Sequence, residues 1–300
     1  MDAFLQTLRT ADVRVSERVP LSGCSTFRIG GPARYLAEPV TTGQLILCLQ
    51  TANRFGIPYL VIGNGSNLLF ADAGYAGVVI LTGGVREIRP TKTGFYATAG
   101  VKLASLAVAA RGAGLTGLEF AHGIPGTVGG AVLMNAGAYG SEMKEIVSEV
   151  EFYRVLADER ITIPGTAAEF GYRTSLFAKD PDSVILGASV RLSPGDPAQI
   201  GARMEELAAR RRQSQPLEFP SAGSVFKRPE GHFAGKLIED CGLKGLRIGG
   251  AEVSLKHAGF IVNRGGATAA DIRELIAEIQ SRVFRETGVK LEPEIRFIGT

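Results

Sequence analysis

The sequence predicts an α+β protein, and three observations carry that prediction. Short strand-like runs alternate with helical patterns without the regular period of a βαβ array. Two glycine-rich loops interrupt them, at 63–67 and within 119–140. A breaker cluster, Ser-Pro-Gly-Asp-Pro at 193–197, then separates this region from a second α+β stretch.

In chain order, a polar helix opens the sequence and a turn follows at Arg-Ile-Gly-Gly-Pro, 28–32. An apolar helix is expected over 42–55 and a short buried strand over 59–62, which feeds the first glycine loop. Further strands are expected over 78–81, 95–99, 150–155 and 184–192, with a helix at 103–111. Beyond the breaker, 199–212 is helical by pattern. The last helix carries the fullest signals: Thr268 with Asp271 resembles a capping box, Ile272, Leu275, Ile276, Ile279 and Val283 form one apolar stripe, and Gly288 is a stop. These patterns divide the chain into 1–80, 81–195 and 200–290. No internal repeat or low-complexity segment occurs.

The two loops are built for an anion. Glycine at 123, 126, 129, 130, 137 and 140 removes the Cβ that keeps backbone away from a ligand and permits turns that aim successive amides at one point. No Asp or Glu lies between Glu119 and Glu142, nor anywhere in 39–71, so neither loop repels a phosphate. Two such loops can hold one diphosphate from two sides. The spacing matches neither the Rossmann glycine fingerprint nor the P-loop. From these residues alone a hairpin turn at 63–67, and a tight turn with a small-residue helix at 119–140, stay open as alternatives.

Composition excludes several classes. With 300 residues, 45% hydrophobic and 21% charged, the chain reads as soluble with room for two or three domains. A net charge of +3 without polybasic tails argues against a nucleic-acid partner. Residues 1–10 carry no leader pattern, and no run of about 18 apolar residues is present to insert in a membrane. Three widely spaced cysteines, Cys24, Cys48 and Cys241, argue against a disulfide framework and for a reducing, cytoplasmic setting. His122, His232 and His257 are too scattered for a metal centre, so no metal is expected.

Six segments together carry a resemblance: Thr-Phe-Arg-Ile-Gly-Gly-Pro-Ala at 26–33, Gly-Asn-Gly-Ser-Asn at 63–67, Gly-Ile-Pro-Gly-Thr-Val-Gly-Gly at 123–130, Tyr-Arg-Thr-Ser-Leu-Phe at 172–177, Gly-Ser-Val-Phe-Lys at 223–227 and Leu-Glu-Pro-Glu-Ile-Arg at 291–296. In that order, over nearly the whole chain, they resemble the UDP-N-acetylenolpyruvoylglucosamine reductase family. The first two-thirds is similar to the wider p-cresol-methylhydroxylase type of FAD domain. The resemblance implies a two-part FAD-binding region, 1–80 and 81–195, followed by a substrate-binding domain over 200–290. It also implies that a strand in 291–300 returns to the first part.

The same resemblance implies the chemistry. NADPH reduces a non-covalently held FAD, and hydride then passes to the enolpyruvyl ether of a UDP-sugar, leaving a carbanion beside its carboxylate that needs cationic partners and one proton. The FAD-binding positions implied are Ile62, Gly63, Asn64, Gly65, Ser66 and Asn67 in the first loop. In the second they are Gly123, Ile124, Pro125, Gly126, Thr127, Gly129, Gly130, Ala131, Asn135 and Gly137. Arg173 offers a permanent planar fork for the pyruvyl carboxylate, Glu294 in the terminal strand is expected opposite it, and Ser224 is the implied proton donor. Ser224, as an ordinary hydroxyl, needs a cation or water chain to act as an acid. Tyr172, Arg211 and Lys227 are implied substrate contacts, and Lys236 is a further phosphate candidate. Tyr172 is the last tyrosine of the chain, so the sequence resembles the shorter form of the family, without a capping Tyr loop. A monomer acting on a small molecule is expected. Two rivals remain at this point: a flavin oxidase sharing the first 195 residues, and a colourless, non-catalytic nucleotide-binding protein.

Overall fold

A computed structural model describes residues 2–299 and resolves the α+β expectation into two compact units, each assembled from separated segments. Met1 and Thr300, ends of the stretches read above, lie outside the described residues. The first unit comprises 1–17, 35–64 and 77–210, and the second 18–34, 65–76 and 211–300.

The first unit has two cores. In one, Phe4, Leu5 and Leu8 of helix Ala3–Thr10 and Leu45, Cys48 and Leu49 of helix Thr42–Arg54 pack with Ile80, Tyr153, Val184 and Leu186. One core thus runs through residue 80, the expected end of the first division. The opening helix is amphipathic where the sequence read it as polar, because its three apolar residues fall on one face. Strands Arg14–Pro20, Pro32–Glu38, Tyr75–Leu81 and Tyr59–Ile62 form a four-stranded sheet in that order, with the last two parallel. Only Ile62 of Tyr59–Ile62 is fully buried, so this strand is less covered than expected: it lies at the sheet edge.

The second core of this unit lies under a five-stranded antiparallel sheet ordered Glu159–Pro164, Val147–Arg154, Ser183–Arg191, Gly94–Thr98, Ile88–Thr91. Leu103, Leu106 and Ala110 of helix Leu103–Gly112 and Val128, Ala131 and Val132 of the short helix Val128–Leu133 fill it. The helical pattern after the breaker becomes Pro197–Ser214.

In the second unit, strands Arg247–Ile248, Ala251–Val253 and Ile261–Asn263 form an antiparallel sheet beside helices Ala234–Asp240 and Ala269–Thr287. Strand Arg296–Ile298 pairs in parallel with Leu68–Phe70. That pairing rules out the hairpin reading of 63–67, because the strand before the loop pairs with Tyr75–Leu81 instead.

The last helix forms as its signals require. Thr268 Oγ1 accepts from Asp271 N (3.0 Å), Asp271 Oδ2 accepts from Thr268 N (2.9 Å), and Gly288 ends the helix at φ +72°. Asp72 adds two acceptors, for Ala269 N and Ala270 N. Thr268→Ala removes one of these caps and is expected to destabilise the fold by about 1 kcal/mol, measured as a lower urea midpoint at unchanged slope.

Candidate active site

The two glycine loops meet in the first unit. Asn64 Nδ2 donates to Pro125 O (2.8 Å), and Gly63 lies against Thr127 so closely that a Cβ there would fall 2.1 Å from Thr127 Oγ1. The glycines therefore divide into two kinds. A Cβ on Gly63 would strike Thr127, one on Gly129 would meet Ala99 at 2.9 Å, and one on Gly137 would meet Ser141 O at 2.7 Å: these glycines let the backbone pack on itself. Gly126 and Gly130 instead have nothing within 3.7 Å of a Cβ position, the nearest atoms lying at 3.8 and 3.9 Å, so a ligand can approach them.

A cofactor fits this cradle on an observation of the protein itself. Thr127 Oγ1 and His122 Nδ1 are buried and have no hydrogen-bond partner in the protein, a costly state unless a bound polar group completes them. The remainder of the first loop belongs to the second unit, where Thr26 N donates to Gly65 O (3.3 Å) and Thr26 Oγ1 is likewise buried without a partner. Gly65, at φ +61°, lies over Cys24, whose carbonyl a Cβ would meet at 2.0 Å.

Asn135 takes a different part. It is fully buried, its Nδ2 donates to Gly171 O (3.0 Å) and Glu142 Oε2 (2.9 Å), and its Oδ1 accepts from Lys144 N (2.9 Å). Its amide is committed to the protein and ties the second loop to the turn that carries Arg173.

That turn is built by Gly171 and Thr174, which exchange backbone hydrogen bonds, so Tyr172 and Arg173 occupy its tip. Ser175, fully buried, fixes its base by donating to Leu133 O (2.8 Å). Arg173 has φ +54°, left-handed backbone that disfavours a residue with a Cβ. Its Nη2 donates to Gly137 O (3.2 Å), and its guanidinium carbon lies 5.4 Å from the centre of the Tyr172 ring. Tyr172 is 53% exposed and offers that ring to solvent.

In the second unit Ser224 and Glu294 come together on a small ladder. Val225 N donates to Gly259 O (2.9 Å), Glu294 N donates to Val225 O (2.7 Å), and Lys227 N donates to Glu292 O (2.9 Å). Ser224 is half-buried, preceded by Gly223 at φ +78°, and its hydroxyl donates to Phe226 O (3.2 Å). Glu294 lies before the terminal strand, not in it, since pairing with Leu68–Phe70 starts only at Arg296. Asn67 fixes this segment: its Nδ2 donates to Glu294 O (3.1 Å), and Arg296 N donates to Asn67 O (3.0 Å). The sequence marked Asn67 as a cofactor contact but gave no sign of this link across 227 residues. Lys227 pairs with Glu292 (3.2 Å) and Lys236 with Asp240 (2.5 Å), while Arg211 lies in the last turn of its helix with its carbonyl accepting Gln215 N (2.9 Å).

The two kinds of glycine predict two kinds of variant. Gly63→Ala overpacks the loop contact, a cost of about 1–3 kcal/mol, and is expected to lower both Tm and FAD retention. Gly130→Ala has room and adds helix propensity, up to about 1 kcal/mol; a Tm no lower than the parent's with weakened FAD binding places the ligand there. Flavin fluorescence titration and thermal melts of the apoprotein separate the two outcomes.

Residues 33–162 match the family model of the FAD binding domain, and residues 215–298 match that of the UDP-N-acetylenolpyruvoylglucosamine reductase C-terminal domain. With the paired loops and their unsatisfied polar atoms, these matches define the class, an FAD-dependent oxidoreductase. Proteins named UDP-N-acetylenolpyruvoylglucosamine reductase from Lactobacillus johnsonii and Caldanaerobacter subterraneus are 47% and 44% identical to the chain. The first comparison covers 98% of each protein, the second 100% of this chain and 98% of the relative. The crystal structure of the reductase (MurB) from Thermus caldophilus matches with a TM-score of 0.81 at 38% identity, over 96% of this chain and all of that one. The chain belongs to the UDP-N-acetylenolpyruvoylglucosamine reductase family.

Proposed function

We propose that the chain reduces the enolpyruvyl group of UDP-N-acetylglucosamine enolpyruvate to UDP-N-acetylmuramate, with NADPH as reductant and FAD as resident cofactor, in peptidoglycan precursor synthesis. The observation that carries this reading is the likeness to named reductases along the whole chain, substrate domain included. A flavin oxidase sharing only the FAD region leaves the match over 215–298 unexplained.

FAD, when bound, supplies the hydride, and the residues of this chain hold it and manage charge and proton. Gly126 and Gly130 line the open part of the cradle and hold the diphosphate, and the buried Thr127 hydroxyl between them in sequence completes the hold. Arg173, presented at the tip of its turn, pairs with the pyruvyl carboxylate and with the negative charge that grows beside it once hydride has added to the terminal carbon. Ser224 gives the carbanion its proton, and the resulting alkoxide is reprotonated from water. Glu294, fixed by Asn67 and Val225, orients that exchange. Tyr172 provides an apolar face to the substrate, and Arg211 and Lys227 bind its phosphates. The left-handed backbone of Arg173 supports its part in this reading, since strain of this sort collects at functional sites.

The reading takes a monomer as the working unit. Both the UDP-sugar and NADPH are cytoplasmic compounds, and among the described residues no helix is long and apolar enough to cross a membrane; the reading places the reaction in the cytoplasm. An anaerobic absorbance titration tests it. NADPH should bleach the flavin, and the UDP-enolpyruvyl sugar should restore its colour without oxygen. Recovery only with oxygen overturns the reductase reading in favour of an oxidase.

A further inference from the structure

We infer that His257 is a positioning residue for the proton step at Ser224: by accepting the Gly259 amide on Nδ1, the neutral imidazole holds the turn against which the Ser224 segment is hung. The inference rests on the reading of Ser224 as the proton donor.

The contacts are local and all lie in the second unit. Gly259 N donates to His257 Nδ1 (3.1 Å), and Phe260 N donates to His257 O (2.9 Å), closing the turn twice. The same Gly259 presents its carbonyl to Val225 N (2.9 Å), and Phe260 is bridged to Ser224. Gly259 is buried, and the point its Cβ would occupy is 3.0 Å from His257 Cε1, 3.2 Å from Nδ1 and 3.4 Å from Ser224 Oγ. Glycine there lets imidazole and hydroxyl approach one another across an otherwise empty position.

The arrangement requires a neutral ring. An Nδ1 that accepts from an amide leaves the proton of the neutral imidazole on Nε2. Protonating Nδ1 sets one N–H against another at this contact and opens the turn. Burial lowers the pKa of His257 below its usual 6.5, and a hydrogen bond to the backbone of His257 itself opposes part of that fall. The Phe260 ring, 4.9 Å away edge-on, and Gly235 of helix Ala234–Asp240, with its Cβ position 3.2 Å from Cε1, supply the cover. Lys244 lowers the value further and Glu239 opposes it; these two pair with each other at 2.6 Å. Lys256, next in sequence, is turned to Arg212 O (2.6 Å). The ring is therefore neutral at pH 7, and its contribution is lost as pH falls through that lowered value.

The test compares His257→Ala and His257→Asn in full-length, FAD-loaded protein by stopped flow, following each half-reaction between pH 5 and 9. Asparagine keeps an acceptor for the amide two residues on but does not titrate. Both variants should be bleached by NADPH at the parent's rate. His257→Ala should slow substrate-driven recovery about tenfold, the effect of leaving one buried amide unpaired. His257→Asn should recover at close to the parent's rate and lose the fall on the acid side. Parent-like recovery in His257→Ala overturns the inference, as does His257→Asn behaving no better than alanine. If His257→Ala does not fold, the acid limb of His257→Asn decides alone: a limb that persists overturns the inference. Ser224→Ala run alongside separates the two readings. Should it recover at the parent's rate, the assignment of Ser224 has failed and this inference with it; a slow Ser224→Ala beside a parent-like His257→Ala removes His257 only.

Discussion

Ser224→Ala is expected to leave bleaching of the flavin by NADPH intact and to slow its recovery by the UDP-enolpyruvyl sugar by about 10²–10⁴-fold, the range for loss of a positioned general acid. Structure gives reasons to attribute such a loss to chemistry and not to folding. The Ser224 hydroxyl donates to Phe226 O, while the backbone bonds of its segment run through Val225 to Gly259 and Glu294 and survive the substitution. The side chain is half-buried and small, so the cavity left is slight. Stopped-flow traces of the two half-reactions, with a melt to confirm the fold, provide the measurement; recovery at the parent's rate removes Ser224 from the proton step.

What the sequence made legible was whatever is encoded locally. The Thr268 and Asp271 cap, the stripe from Ile272 to Val283 and the stop at Gly288 are contacts between residues within about one helix length, and each formed. The acid-free glycine loops could be recognised for the same reason: glycine and the lack of carboxylates are properties of a short stretch. Division into compact units was not legible, because it depends on which distant strands share a core. Phe4 packs in one cluster with Leu186, and Leu69 in another with Ile276.

The glycines show a finer limit. Gly63 and Gly130 look alike in sequence, yet a Cβ on the first would collide with Thr127 whereas one on the second finds nothing nearer than 3.9 Å. A missing side chain is the same whether protein or ligand fills its place, so only the neighbourhood distinguishes them. Asn135 and Asn67 illustrate the converse. Each reads as a polar loop residue suited to a ligand, and each places its side-chain amide on the carbonyl of a distant residue, Gly171 or Glu294, that belongs to a segment holding a proposed catalytic residue. The chain thus spends loop polarity on holding its own turns in place, which is why their function could not be read from composition.

Arg173→Lys is the second large effect expected, a loss of about 10²–10³-fold in kcat, as for removal of a donor aimed at developing negative charge. Lysine keeps the charge but not the fork: it can replace neither a paired hold on a carboxylate nor, at the same reach, the bond from Nη2 to Gly137 O. Arg173→Gly separates this from any effect on the fold. At φ +54° an L side chain is strained by roughly 1–2 kcal/mol, and glycine relieves that strain. Arg173→Gly should therefore be at least as slow as Arg173→Lys while melting no lower than the parent. Activity and stability moving in opposite directions at one position is the signature of a residue held in a costly conformation for its chemistry. Near-parent turnover in Arg173→Lys, measured with saturating substrate, dismisses the carboxylate clamp; a marked fall in the melting temperature of Arg173→Gly shows instead that the guanidinium bond to Gly137 outweighs the strain, making Arg173 a structural brace.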